Sequence, residues 1–274
     1  LKSCLEKNGI VSQLMNIAGN QKYFLESDKQ GFLQETITEH DILFIGSPVY
    51  AHHLQYHVHD LIKNLPQPLG IWGKLAVPFV TYGGIHSGIA LEEAGNLLKK
   101  SGRKVLAGMK VSASHRMTRA FWEQEYNKDQ SEDILYSTIE ELVRRVKLSH
   151  LDSLKDQSKH LKYQSRKTYL KANIIFKEKV WHEKRYPRIV IAEDECIKCG
   201  KCKTLCPVCH LQQDSNHSII WNSVSPCIHC FNCIIECPKK AISLVGDLDR
   251  GKKFMENMIR KGKENPDTSL YPNE

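Results

Sequence analysis

Eight of the ten cysteines belong to one pattern used twice. Cys196, Cys199, Cys202 and Cys206 stand in the spacing C-x2-C-x2-C-x3-C and precede Pro207. Cys227, Cys230, Cys233 and Cys237, ahead of Pro238, repeat the spacing at a constant offset of 31 residues. Such a repeat marks two copies of one unit folded side by side. Three thiolates two residues apart can wrap one corner of an iron-sulfur cube, while a fourth, set off by a wider gap and a proline, points elsewhere. Two other chemistries fit less well. A disulfide framework belongs to small exported chains, and this 274-residue sequence lacks a signal-peptide layout in its first thirty residues. Zinc sites use paired C-x2-C units without a third cysteine in register.

From Arg188 to Gly246 the sequence resembles the two-[4Fe-4S] bacterial ferredoxins. The resemblance implies crossed ligation, with one cluster held by Cys196, Cys199, Cys202 and Cys237 and the other by Cys227, Cys230, Cys233 and Cys206. Two positions depart from the family pattern without touching a ligand. One is Cys209, expected as a buried free thiol with a ligand-swap role as the alternative. The other is Phe231, which stands where the first copy has Gly200. Large apolar residues are few here, so the clusters must organise the fold. Ile197, Ile219, Ile220, Ile228, Ile234, Ile235 and Ile242 are expected to pack around them and limit water. "RIVIAED" before the first copy and "AISLVG" after the second read as two short paired strands.

The elements ahead of this region follow a different pattern. Near-continuous apolar runs at Gly9 to Ile17, Asp41 to Tyr50, Lys74 to Gly84 and Arg103 to His115 read as strands buried on both faces. Gln55 to Leu65 and Gly88 to Ser101 between them carry helical spacing. This is β-α-β alternation, hence a parallel sheet covered by helices. Ile134, Leu135, Ile139, Leu142, Val143 and Val146 mark an amphipathic helix over 129–147 that closes the domain. "LKSCLEKNG" reads as the last turns of a helix stopped by Gly9, so the chain is expected to begin in mid-domain.

Open parallel sheets bind ligands at the carboxyl ends of their strands. Those ends are "GSPVYAHH", "TYGGIHSG" and "SASHR", and the first two suit a flat ring laid between backbone and Tyr50 or Tyr82, or simply ordinary turns. "GSPVY" and "TYGG" look like the two isoalloxazine-contacting loops of flavodoxins. With the basic segment and the cysteine region that follow, the chain resembles the EFR-type flavodoxin-ferredoxin fusion family over most of its length. The resemblance implies a flavodoxin-like doubly wound α/β sheet followed by an α+β two-[4Fe-4S] ferredoxin domain. It also implies FMN near Ser47, Pro48, Val49, Tyr50, Ala51, Thr81, Tyr82, Gly83 and Gly84, exchanging electrons with the clusters. The flavodoxin phosphate loop and first strand are not in this sequence, which is read as an N-terminally incomplete chain. The expected division is 1–147 flavodoxin-like, 148–187 basic helical linker, 188–247 ferredoxin and 248–274 polar tail.

The net charge of +8 comes from one segment. Residues 147–188 hold 12 Lys/Arg against 4 Asp/Glu, and the rest of the chain carries 27 of each. With no nucleic-acid motif in it, the segment is expected to steer an acidic redox partner protein. His52, His53, His57 and His59 lack a third converging ligand and read as a solvated helix start, and His86 and His115 lie on ligand-end loops. No apolar run reaches the ~20 residues that span a bilayer, and the protein is expected in the cytoplasm. These features point to an electron carrier that needs no catalytic side chain. The alternatives are a ferredoxin-coupled flavin-dependent reductase of an organic substrate, or a flavin-free docking module fused to a ferredoxin.

Overall fold

The computed structural model describes residues 1–69, 72–114, 116–122, 132–148, 155–177, 181, 186–262, 264 and 268–272. His115 and the beginning of the expected 129–147 helix lie outside these.

The central sheet is built on two long strands, β1 (His40–Tyr50) and β3 (Trp72–Tyr82), which run parallel with Ile42 opposite Leu75 and Pro48 opposite Thr81. The short β2 (His53–Leu54) folds back on the end of β1. Beyond β3 lie β4 (Lys104–Val105) and β5 (Gly108–Ser112), both parallel to it. A last strand, β10 (Ser269–Tyr271), joins the far edge antiparallel to β5. The path through the sheet is β10-β5-β3-β1-β2.

Alternate residues of β3 explain why both faces are covered. Ala76 and Val80 enter a core with Ile45, Leu54, Ile62, Leu91, Ala94 and Leu98. Val77 enters the opposite core with Met109, Ile139, Leu142, Val143, Cys4 and Leu5. Helix Ala90–Lys100 carries Glu92 and Glu93 in its first turn and Lys99 and Lys100 in its last, charges that complement the helix dipole. Helix Glu132–Leu148 covers the second face.

Gly9 ends the helix Lys2–Lys7 with φ +75, the left-handed backbone expected of it. The expected strand at Gly9 to Ile17 does not form. Val11 is 101% and Leu14 70% exposed, so the burial that would favour a strand there is missing. The run from Arg103 to His115 breaks into β4 and β5, because Leu106 turns its N–H to Ala76 while Val105 accepts from Gln157.

The basic segment is more than a linker. Leu161, in the 3-10 turn Ser158–Leu161, is fully buried in the first core. Gly95 and Gly108 make room for it: a Cβ at either would stand 2.6 or 2.4 Å from a Leu161 methyl. Helix Arg166–Ile174 follows, capped by Ser165.

The polar tail carries one helix and then returns to the sheet. Helix Leu248–Lys261, capped by Asp247, leads back to the sheet, where β10 pairs with β5 and Tyr271 stacks on Tyr163 at 4.4 Å. Between them Glu264 accepts hydrogen bonds from Ser87 N–H (3.0 Å), Gln164 Nε2 (2.8 Å) and Lys110 Nζ (2.7 Å). A three-residue strand is too short to show a period, and an acid's burial depends on partners far away in the chain.

The cysteine region is a pair of hairpin-like sheets. As expected, β6 (Arg188–Ile191) pairs antiparallel with β9 (Ile242–Val245) across the repeat. β7 (Leu211–Gln213) pairs with β8 (Ile219–Trp221). Among the described residues no helix is long and apolar enough to cross a membrane.

Candidate metal centre

The 31-residue repeat is visible in the backbone. Lys198 and His229 have φ +54 and +53, Gly200 and Phe231 +73 and +60, and Cys209 and Lys240 +55 and +52. Each pair is one position of the repeat seen twice. Left-handed residues between right-handed ones curl successive N–H groups inward and make a concavity that favours anionic sulfur. Accordingly, the His210 N–H lies 3.2 Å from Cys206 Sγ and the His229 N–H 3.3 Å from Cys227 Sγ. Gly200 takes the left-handed position without steric cost. Phe231 takes it with a side chain that is 1% exposed, wedged near Tyr186 and His229, so burial of the ring offsets the backbone strain.

Two cavities follow from this backbone. One is lined by Cys206, Cys227, Cys230 and Cys233 with Ile189, Val208, Leu211, Trp221, Ile228 and Phe231. The other is lined by Cys196, Cys199, Cys202 and Cys237 with Ile197, Ile219, Ala241 and Ile242. Each thus gathers three thiols from one motif and the last from the other. Cys209 is buried and lines neither. Of the isoleucines expected around the clusters, Ile197 and Ile220 are largely exposed.

Burial pushes the Cys227 thiol up to about 12 and raises Cys230, Cys233 and Cys202 as well. Neutral thiols are favoured in such apolar walls unless a positive centre replaces the proton. Among the described residues no three His, Cys, Asp or Glu side chains are placed to hold a single metal ion. Four soft sulfur donors spread around an apolar cavity, with amides aimed at sulfur, fit an iron-sulfur cube instead.

The sheet-end residues expected at a flavin are also neighbours. Pro48 and Thr81 are register partners, and Tyr82 pairs with Ser112 in the next strand. Ser47 is buried, its Oγ donating to Pro48 O and accepting from Gln55 N–H. Ala51 and His52 form the left-handed turn of the β1-β2 hairpin, and Gly84 is left-handed too. Val49, Thr81 and Gly83 are half-buried, and Tyr82 is buried. Tyr50 packs against the core that holds Cys206 and Cys209.

The histidines scatter. His53 sits on β2, with Glu93 Oε1 2.8 Å from Nδ1 and Ala172 O 3.0 Å from Nε2, while His57 is buried in a helix. His52 lies between the tilted rings of His86 (4.7 Å) and Phe176 (4.1 Å), and burial, then His86, lowers its pKa to about 3. Sequence reasoning missed Glu264, whose partners at 86, 87, 110 and 164 leave no local pattern.

With this geometry in view, the 4Fe-4S dicluster domain family matches residues 188–238. The chain is 37% identical over 92 residues to a ferredoxin of Pyrobaculum islandicum, which covers 33% of this chain and 78% of that protein.

Proposed function

The chain belongs to the ferredoxin family, and from that premise we propose that residues 188–247 hold two [4Fe-4S] clusters in crossed ligation and carry single electrons between redox partner proteins. The observation that carries the reading is the division of eight thiols between two cavities, four to each. When bound, the clusters supply one-electron chemistry. The protein's own part is to keep four thiols around each site, to aim the His210 and His229 amides at sulfur, and to exclude water with Val208, Leu211, Ile228 and Ile242. No side chain has to move a proton for this.

The finer part of the proposal concerns residues 1–147 as a flavodoxin-like domain, with 148–187 joining it to the ferredoxin and 248–274 returning to its sheet. The parallel pairing of β1, β3 and β5 and the shared end of Pro48 and Thr81 support it. The residues fit the ring of FMN in part: Pro48 is exposed, and Val49, Tyr50, Ala51, Thr81 and Gly83 are half-buried around that end. They do not supply a phosphate grip, since residues 1–39 add no strand to the sheet. The docking-module reading draws on Tyr50, whose packing against the thiol-bearing core makes the sheet domain a support for the ferredoxin.

Purification without oxygen, followed by iron, sulfide and flavin analysis, tests both levels. Two clusters require about eight iron and eight sulfide per chain. About four iron sinks the two-cluster reading, and a flavin-free protein sinks FMN and leaves the docking module.

A further inference from the structure

The two cluster sites sit in unequal surroundings. Cys206 is 9% exposed and shares a core with Tyr23, Phe24, Phe32 and Leu33, while Tyr50 and Tyr56 of the sheet domain pack against the same core. Hydrogen bonds fix the contact on both sides of the site. Tyr56 Oη donates to Pro226 O (2.8 Å), next to Cys227, and Gly19 N–H donates to Pro207 O (2.8 Å), next to Cys206. The loop between Cys227 and Cys230 is covered as well, by Tyr186 stacked on His229 at 4.8 Å. At the other site Cys199 is exposed, and Ile197 beside it is 57% exposed.

We propose that the site of Cys196, Cys199, Cys202 and Cys237 is the port at which a one-electron partner protein meets the chain, and that the site of Cys206, Cys227, Cys230 and Cys233 is internal, sheltered by the sheet domain. The proposal rests on the two-cluster reading above. Electron tunnelling falls steeply with the distance between redox centres, so a docked partner exchanges fastest with the cluster under the thinnest layer of protein. Cys196, Cys199, Cys202 and Cys237 would hold the group that takes up one electron as a reduced partner loses it, and Cys206, Cys227, Cys230 and Cys233 would hold a second, sheltered group of the same one-electron chemistry, with no bond or proton moved. The same cover governs chemical access, because a reagent reaches a packed site only through local opening.

The test uses the anaerobic holoprotein and bathophenanthroline disulfonate as the iron chelator. Iron release is expected in two phases of equal size. Cys199→Ala, which removes a port ligand, should leave only the slow phase, and Cys230→Ala only the fast one. Should either cysteine variant fail to fold, Tyr56→Phe serves. Loss of its hydrogen bond to Pro226 should speed the slow phase about fivefold and leave the fast phase alone. Release of about eight iron in a single phase overturns the assignment of roles but not the clusters. A slow phase that survives Cys230→Ala, or an unchanged slow phase in Tyr56→Phe, does the same. About four iron in the starting sample overturns the two-cluster reading and this assignment with it.

Discussion

Glu264→Gln should destabilise the sheet domain strongly, although residue 264 lies far from that domain in sequence. Lys110 Nζ stands 2.7 Å from Glu264 Oε2, with the two side chains 4% and 11% exposed. The carboxylate also accepts from Ser87 N–H, Ser87 Oγ and Gln164 Nε2. The amide keeps the size but removes the charge, which leaves a buried ammonium whose other neighbour is the Tyr163 ring at 5.3 Å. Removing one partner of a buried pair costs about 3–5 kcal/mol, and the Tyr163 face retained beside Lys110 argues for the lower end. At roughly 2–4 °C per kcal/mol, a loss of about 3 kcal/mol lowers Tm by about 6–12 °C.

The pH dependence gives a second signature of the same pair. Burial alone would raise the Glu264 carboxyl, but hydrogen bonds from His86 and Lys110 outweigh it and hold the group well below the usual carboxylate range. A folded pKa below the unfolded one contributes stability that is complete above the unfolded value, about 4.3, and is lost as pH falls below it. Denaturant unfolding followed by circular dichroism from pH 7 to pH 3 should show the parent beginning to lose this increment below about pH 4.3 and Glu264→Gln lacking it throughout. Adding Lys110→Met to Glu264→Gln should restore part of the loss, since the stranded charge is gone. A Glu264→Gln protein within about 0.5 kcal/mol of the parent at pH 7 would refute the reasoning.

Other perturbations read other parts of the fold. Phe231→Gly relieves a left-handed backbone, worth about 1–2 kcal/mol, but deletes a buried ring, worth about 3–5 kcal/mol. A net loss of about 2 kcal/mol is therefore expected, measured as faster iron release from the holoprotein. Gly88→Ala should cost about 3 kcal/mol or more in thermal unfolding, because φ is +60 and the new Cβ would stand 2.1 Å from His52 O. The His52 ring, whose pKa burial lowers to about 3, should stay neutral from pH 8 down to about pH 4. Its Cε1–H resonance should therefore hold its position over a range in which exposed histidines shift.

Legibility differs between the site and the scaffold. The thiol spacing is a local property, because three cysteines two residues apart meet one another whatever lies around them. The α/β alternation of residues 40–112 was legible for a similar reason: strands buried on both faces must be apolar nearly throughout, and β1 and β3 are. The failures share an opposite cause. Val11 and Leu14 carry the composition of a strand, yet a strand needs neighbours, and they stand exposed. The basic composition of 147–188 concealed Leu161, which is buried because Gly95 and Gly108 leave space for it.

By itself the sequence determined the chemistry: eight thiols in two copies of one iron-sulfur pattern, at an offset of 31 residues. Tertiary structure alone decided the surroundings. It divides the thiols between two cavities. It buries Cys206 against Tyr50 and Tyr56 while leaving Cys199 exposed. It also returns the chain's end to the sheet through Glu264 and β10. The physical reason is range. Ligand spacing and helix caps act within a few residues, whereas desolvation of a charge, the space beside a glycine and the cover over a cluster depend on residues brought together from across the chain.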